Sequence, residues 1–152
     1  MECQEIMHAV ETHLYADDPA SKVIDFMLEK GTGEVPVVDR NDVFVGLLST
    51  DRLAHFALPK TVSMMRGKKN ASYLRESRQE LGERLQALRD RTIGDLVDAH
   101  VTVAYPDTGL TDAILILSEG QDVVPIVERE SNRLLGAISF FTILNALKEE
   151  KQ

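Results

Sequence analysis

Glu34-Val35-Pro36-Val37-Val38-Asp39, with Phe44-Val45-Gly46-Leu47-Leu48-Ser49 after it, returns about 90 residues later as Val123-Val124-Pro125-Ile126-Val127-Glu128 and Leu134-Leu135-Gly136-Ala137-Ile138-Ser139. Each copy is a short apolar run carrying Pro, an acidic turn, a second apolar run and a Gly-x-x-Ser exit. Such runs, rich in β-branched residues and bounded by turn residues, read as paired strands. Self-similarity at one fixed shift makes the chain a tandem repeat. Upstream, Asp18-Pro19 opens a helical pattern through Val23, Ile24, Phe26 and Met27, and Asp107-Thr108 opens its partner through Leu110, Ala113, Ile114 and Leu117. Asp18 is placed to cap that helix and Pro19 to occupy its first position. Downstream of each Ser the pattern turns helical again, through Leu53, Phe56 and Ala57 or through Phe141, Ile143, Leu144 and Leu147. Each copy therefore predicts strand, helix, strand, strand, helix. Val35, Val37, Val124 and Ile126 are expected to alternate with less buried neighbours in the strands that carry Pro36 and Pro125.

Between the copies the charge changes sign. Residues 60–91 carry nine basic and four acidic side chains, a net of +5 in a chain whose total is −8. Leu74, Leu81, Leu85 and Leu88 fall at helical spacing there, which predicts a helix over about 72–90 with one apolar stripe, packed on a repeat or on a second subunit. Gly67-Lys68-Lys69-Asn70 reads as a loop, and Met64-Met65 as packing. The division is therefore repeat 1 over 4–58, a basic helical connector over 59–91 and repeat 2 over 92–149. The basic segment is either a solvated helix face or an anion site. Nucleic acid is disfavoured, since the chain is acidic overall and only Tyr73 offers a stacking ring in the segment.

Of 152 residues, 43% are hydrophobic and 28% charged, which suits a globular unit with a sizeable core. The longest nearly uncharged stretch, 134–147, is shorter than the roughly 20 residues a membrane helix needs. The first residues lack the basic and apolar regions of a signal peptide, and the single Cys3 cannot form an internal disulfide. The expected setting is soluble, reducing and cytoplasmic.

The repeated unit resembles the CBS domain, and the two copies together resemble a CBS pair, or Bateman module. The resemblance rests on Val35-Pro36-Val37-Val38-Asp39 with Gly46-Leu47-Leu48-Ser49 and on their second-copy counterparts. It implies an α/β fold, an α+β sandwich of two pseudo-symmetric CBS repeats, each β-α-β-β-α, with the helical connector inserted. It also implies clefts between the repeats that bind adenosine-containing ligands, with AMP, ADP, ATP or S-adenosylmethionine as a regulatory ligand and no required cofactor. Assembly into homodimers and regulation of a separate enzyme or transporter follow from the same likeness.

Candidate ligand residues are His13, Glu34, Val35, Pro36, Ser49, Asp51 and Arg52 in repeat 1, and Thr102, Val123, Val124, Pro125, Ser139 and Thr142 in repeat 2. Ser49 and Ser139 sit where a strand meets a helix, so each hydroxyl can cap the helix while free amides face a phosphate. The family's Gly-x-x-Ser/Thr-x-x-Asp pattern supplies a carboxylate for ribose hydroxyls, but here Arg52 and Thr142 hold that position. A ligand held through phosphate, in the first repeat's cleft and through Arg52, is the expectation. His8, His13, His55 and His100 share no metal-ligand spacing. Cys3 falls in a terminus expected to be mobile, with no basic neighbour, and no nucleophile-base arrangement emerges. Three functions stay open: a regulatory ligand sensor, a ligand-free oligomerisation or interaction module, and an enzyme or nucleic-acid binder.

Overall fold

A computed structural model describes residues 1–10, 13–59 and 77–150. Repeat 1 contains α1 (Ala20–Lys30), β1 (Glu34–Val38), β2 (Phe44–Ser49) and α2 (Thr50–Ala57), and repeat 2 contains α4 (Leu110–Ser118), β3 (Val123–Val127), β4 (Leu134–Ser139) and α5 (Phe140–Glu150). Between them runs α3 (Arg78–Arg89), and single 3-10 turns lie at Cys3–Glu5 and Ile93–Asp95. The hairpins are antiparallel with matching register: Glu34 faces Ser49 and Pro36 faces Leu47 in one, Val123 faces Ser139 and Pro125 faces Ala137 in the other. Both turns place a short polar residue in the left-handed region, Asp42 at φ 64° and Asn132 at φ 61°, the residue types that tolerate it best. The predicted leading strand of each repeat is reduced to one parallel bridge, Tyr15 to Val38 and Ala104 to Ile126.

Neither repeat completes its own core. The segment preceding repeat 1 crosses to repeat 2, where the Cys3 amide donates to the Thr108 carbonyl (2.8 Å), Leu110 donates to Met1 (2.9 Å), and His8 exchanges bonds with Ala137. The segment preceding repeat 2 crosses in the opposite sense: Ile93 donates to Asp18 (2.9 Å), Ala20 to Arg91 (2.7 Å), and Asp98 exchanges bonds with Leu47. Ile93 and Leu96 thus join the first core with Val23, Val35, Val37 and Leu48, whereas Cys3 joins the second with Val124, Ile126, Ile138 and Ile143. A third cluster of Phe44, Leu47 and Val127 ties the repeats together. The expected mobile terminus is therefore wrong for Cys3, which is fully buried; burial pushes its thiol pKa up.

Three further expectations change. The N-cap of α1 is Pro19, without a side-chain bond; the Asp18 carboxylate instead accepts from Arg40 (3.0 Å) and Lys22 (3.4 Å). The α3 helix is capped by Ser77, whose hydroxyl accepts from Glu80, and within the chain its stripe meets a repeat through Leu88 rather than along its length. Leu88 is 5% exposed while Leu81 and Leu85 are 43% and 41% exposed. Leu74, Met64-Met65 and the start of the predicted connector helix lie outside the described residues. Alternation holds in β1 only from Glu34 to Val37, since Val38 is buried as well, and it fails in β3, where Val124 to Val127 are all buried.

The glycine of each Gly-x-x-Ser motif is where the crossing segment touches the hairpin. A Cβ on Gly46 would lie 2.5 Å from the Asp98 carbonyl oxygen, and one on Gly136 would lie 2.8 Å from that of His8. Gly46→Ala and Gly136→Ala are each expected to cost about 1–3 kcal/mol, because the contact is with backbone that a rotamer change cannot relieve. Gly82, inside α3 with open space around it, is the control: Gly82→Ala should stabilise by about 0.5–1 kcal/mol. Urea unfolding of the three variants reads both signs.

Candidate functional site

The hairpins meet about the pseudo-twofold axis at two places. At the turns, Val43 bridges Arg133, with Phe44 donating to Asn132 and Leu134 to Asp42, both at 2.9 Å. At the strand starts, the Glu34 carboxylate crosses to repeat 2, its Oε1 accepting from the amides of Asp122 and Val123, each at 3.1 Å. Val123 holds the equivalent position in repeat 2, so this strap has no counterpart.

Two clefts flank the axis. The larger, about 490 Å³, is bordered by Glu34, Val35 and Pro36 of β1, by Val123 and Ser139, and by His8, Val10, Leu14, Phe26, Lys30, Thr32 and Ala137. The smaller, about 310 Å³, is bordered by Glu34, Ser49, Asp51 and Arg52 with Leu47, His55, Asp98, Val101 and Gln121. Symmetry related in backbone, they differ in side chains. Leu47 stands where the larger cleft has Ala137, and Gln121 stands where it has Thr32. Gln121 is locked in place: its amide oxygen accepts from Thr102 N–H (2.7 Å), and its nitrogen donates to the carbonyls of Thr102 (3.0 Å) and Val123 (3.1 Å). A wide apolar groove of about 620 Å³ adjoins the larger cleft, sharing Thr32, Glu34, Val123 and Ser139 with it and walled by Phe140 and Phe141.

The candidate residues therefore sort unevenly. Glu34, Val35, Pro36, Val123 and Ser139, named for two different repeats, come together in one cleft. Ser49 and Ser139 both cap the helices that follow them, accepting from Arg52 N–H (3.1 Å) and Thr142 N–H (3.3 Å). Arg52 borders the smaller cleft, but its guanidinium donates to the carbonyls of Leu96 (3.0 Å) and Val97 (3.1 Å) and lies over the Phe56 ring. The crossing segment thus occupies donors that the phosphate expectation required. Thr142 bonds His8 Nδ1 (3.0 Å) and borders an outer cavity with Glu5, Phe141 and Asn145. His13 sits beside Asp42 (3.3 Å) and meets Tyr15 edge-on, Thr102 is held by Gln121, and Val124 and Pro125 are buried in the second repeat.

Sequence reading overlooked Lys30, Thr32, Phe26 and Gln121 as cleft residues. It also overlooked a matched clamp: Arg40 lies 4.0 Å over Tyr15 and pairs with Asp17 (2.9 Å), while Arg129 lies 4.1 Å over Tyr105 and pairs with Asp107 (2.8 Å). The Arg40 bond holds the Asp17 carboxyl below the usual carboxylate range. Among the described residues no His, Cys, Asp and Glu group is placed to hold a metal, and no helix is long and apolar enough to cross a membrane.

This geometry is that of two CBS repeats back to back, and the CBS domain family matches residues 3–58 and 93–149. The chain belongs to the CBS domain family. Its fold is similar to that of the CBS-pair protein CBSX2 from Arabidopsis thaliana, at 19% identity over 99% of this chain and 96% of that one, TM-score 0.73; CBSX2 has also been solved in complex with AMP. It is similar to a CBS domain-containing protein of unknown function from Bacillus anthracis, at 14% identity over 98% and 94% of the two chains, TM-score 0.70. A third likeness is to the CBS domain pair of protein MJ0100 in complex with 5′-methylthioadenosine and S-adenosyl-L-methionine, at 14% identity over 99% and 98%, TM-score 0.64. A search of curated protein sequences returned no match.

Burial raises the Glu34 pKa, against the two backbone N–H bonds that lower it; the carboxylates of Asp122 and Asp51 add to the rise. A carboxyl raised in the folded state binds its proton more tightly there than when unfolded. Its contribution to stability therefore falls as pH rises from the unfolded value, near 4.3, through the folded one, and is constant above. Glu34→Gln keeps an acceptor for the two amides and removes the titration. The stability of the wild type minus that of Glu34→Gln should decline as pH rises above about 4 and then level off, as read by urea unfolding of both proteins over a pH series.

Proposed function

We propose that this protein is a regulatory CBS-pair module that senses an adenine nucleotide or a related anionic metabolite in the larger cleft and signals its occupancy to a separate enzyme or transporter. The observation that carries this reading is the cleft itself. At about 490 Å³ it lies within the usual range of small-molecule sites. It spans both repeats, so an occupant bears on their relative position. Leu14, Phe26, Val35, Pro36 and Ala137 suit the faces of a purine, and Lys30 at the border suits a phosphate. The AMP complex of CBSX2 and the nucleoside-bearing complex of MJ0100 support the ligand class. The role is regulatory rather than catalytic, and the lone cysteine agrees with a cytoplasmic setting.

AMP in large excess over its dissociation constant should raise the melting temperature, since one hundred times that constant adds about 2.7 kcal/mol. Adenosine should bind more weakly than AMP. Lys30→Ala should erase most of that difference, and Arg52→Ala should leave it in place. Calorimetric titration of the three proteins with both ligands decides the matter. An Arg52-dependent difference returns the site to the smaller cleft, and no heat with AMP, ATP or S-adenosylmethionine favours an interaction module.

The interaction reading has its own support. On repeat 1, α3 packs against α1 and α2, with Leu88 in the core and Arg91 over Phe56. The equivalent face of repeat 2 presents Ile114, Leu115, Phe140, Leu144 and Leu147 to solvent, with Phe141 76% exposed. Exposed apolar side chains concentrated on two helices suit an association surface, and the proposed assembly is a homodimer through α4 and α5. Phe141→Asp with Leu144→Asp should halve the mass seen by light scattering while leaving the circular dichroism spectrum unchanged; an unaltered mass rules this face out.

A further inference from the structure

Glu34 is the one carboxylate among the described residues that border the larger cleft, and it also borders the smaller cleft and the adjoining groove. It sits at the first position of β1, opposite Ser49. Its orientation is fixed from the other repeat, because Oε1 accepts both the Asp122 and Val123 amides at 3.1 Å. An ionised carboxylate offers about four acceptor sites. Two are taken on Oε1, and no donor from the described residues is placed on Oε2. The side chain is only partly open to water, so an unoccupied acceptor facing a bound ligand is costly unless the ligand brings a donor.

We propose that Glu34 is the specificity-determining acceptor of the cleft, taking an N–H or O–H donor of the ligand on Oε2. This rests on the reading that a nucleotide binds there. The chemistry favours an amino-purine or an intact ribose diol over analogues that lack the donor. A ligand presenting a carbonyl or nothing at that point leaves a charged acceptor unpaired, which is the situation in which polar sites discriminate most strongly. Lys30 borders the same cleft and is the group available to a phosphate, so the anionic and the donor-bearing parts of one ligand meet different residues.

Glu34→Gln separates this role from that of a strap between the repeats. The amide oxygen of glutamine keeps the bonds from Asp122 and Val123, while its nitrogen presents donors where Oε2 accepted. Affinities of AMP, inosine monophosphate and 2′-deoxy-AMP are measured by calorimetry for wild type and Glu34→Gln, with melting curves of the free proteins to verify folding. Wild type should prefer AMP by about tenfold or more over one of the two analogues. Glu34→Gln should reduce that preference to within about twofold. Loss against inosine monophosphate assigns the donor to the purine amine, and loss against 2′-deoxy-AMP assigns it to the ribose. Equal wild-type affinities for all three overturn the proposal without any variant being needed. Preserved discrimination in Glu34→Gln overturns it too, since another group then reads the ligand. If wild type binds none of the three, the nucleotide reading fails and takes this one with it.

Discussion

The structure depends on two close approaches of backbone to backbone, at Gly46 and at Gly136. Each lets a segment from the other half of the chain lie against a hairpin and exchange hydrogen bonds with it, at Asp98 with Leu47 and at His8 with Ala137. Once seated, the segment supplies what its host lacks. Repeat 1 receives Ile93 and Leu96, both fully buried, and repeat 2 receives Cys3. Truncation of a buried Ile or Leu costs about 2–5 kcal/mol, a large share of the stability of a small domain. The crossing also supplies carbonyls for the first amides of α1 and α4, from Arg91 and Met1, which is why neither helix needs the side-chain cap that Asp18 was expected to provide.

The hairpins, the helices that follow them and the serine caps were legible because they are local. A strand run and a capping hydroxyl are decided within a few residues. The crossing was not legible, since it joins Cys3 to Thr108 and Ile93 to Asp18, and no periodicity reports a contact at that separation. Cys3 looked like a terminal residue for the same reason. The Tyr15-Asp17-Arg40 and Tyr105-Asp107-Arg129 clamps were written in the sequence at the shift of the repeat, but outside the motifs that drew attention to it. The leucine stripe of α3 was legible as a shared face but not in its extent of cover within the chain, because spacing does not report how much of a face is packed; Leu88 meets the core while Leu81 and Leu85 do not.

The two halves kept one backbone and diverged in side chains, and the candidate site lies in that divergence. Leu47 against Ala137 and Gln121 against Thr32 narrow one cleft and leave the other open. Arg52 is tied to the carbonyls of Leu96 and Val97, while its counterpart Thr142 bonds His8. Glu34 against Val123 gives repeat 1 a carboxylate that repeat 2 lacks, and it borders both clefts at once. The outer faces diverge as well, since α3 shields the helices of repeat 1 and leaves those of repeat 2 exposed. Matching sequence motifs thus identified equivalent positions without identifying equivalent environments.

The exchanged segments also bear on how such a chain can have arisen. A protein made of one repeat would carry its leading segment with no hairpin of its own to receive it, and would leave the floor of its own core open. Two such proteins could satisfy one another only by trading those segments, which is a domain-swapped pair. Gene duplication with fusion would then convert a concentration-dependent encounter into an intramolecular one, at the effective concentration set by the joining segment. From that point the two copies would be free to change separately, one towards a narrower cleft and the other towards a wider one.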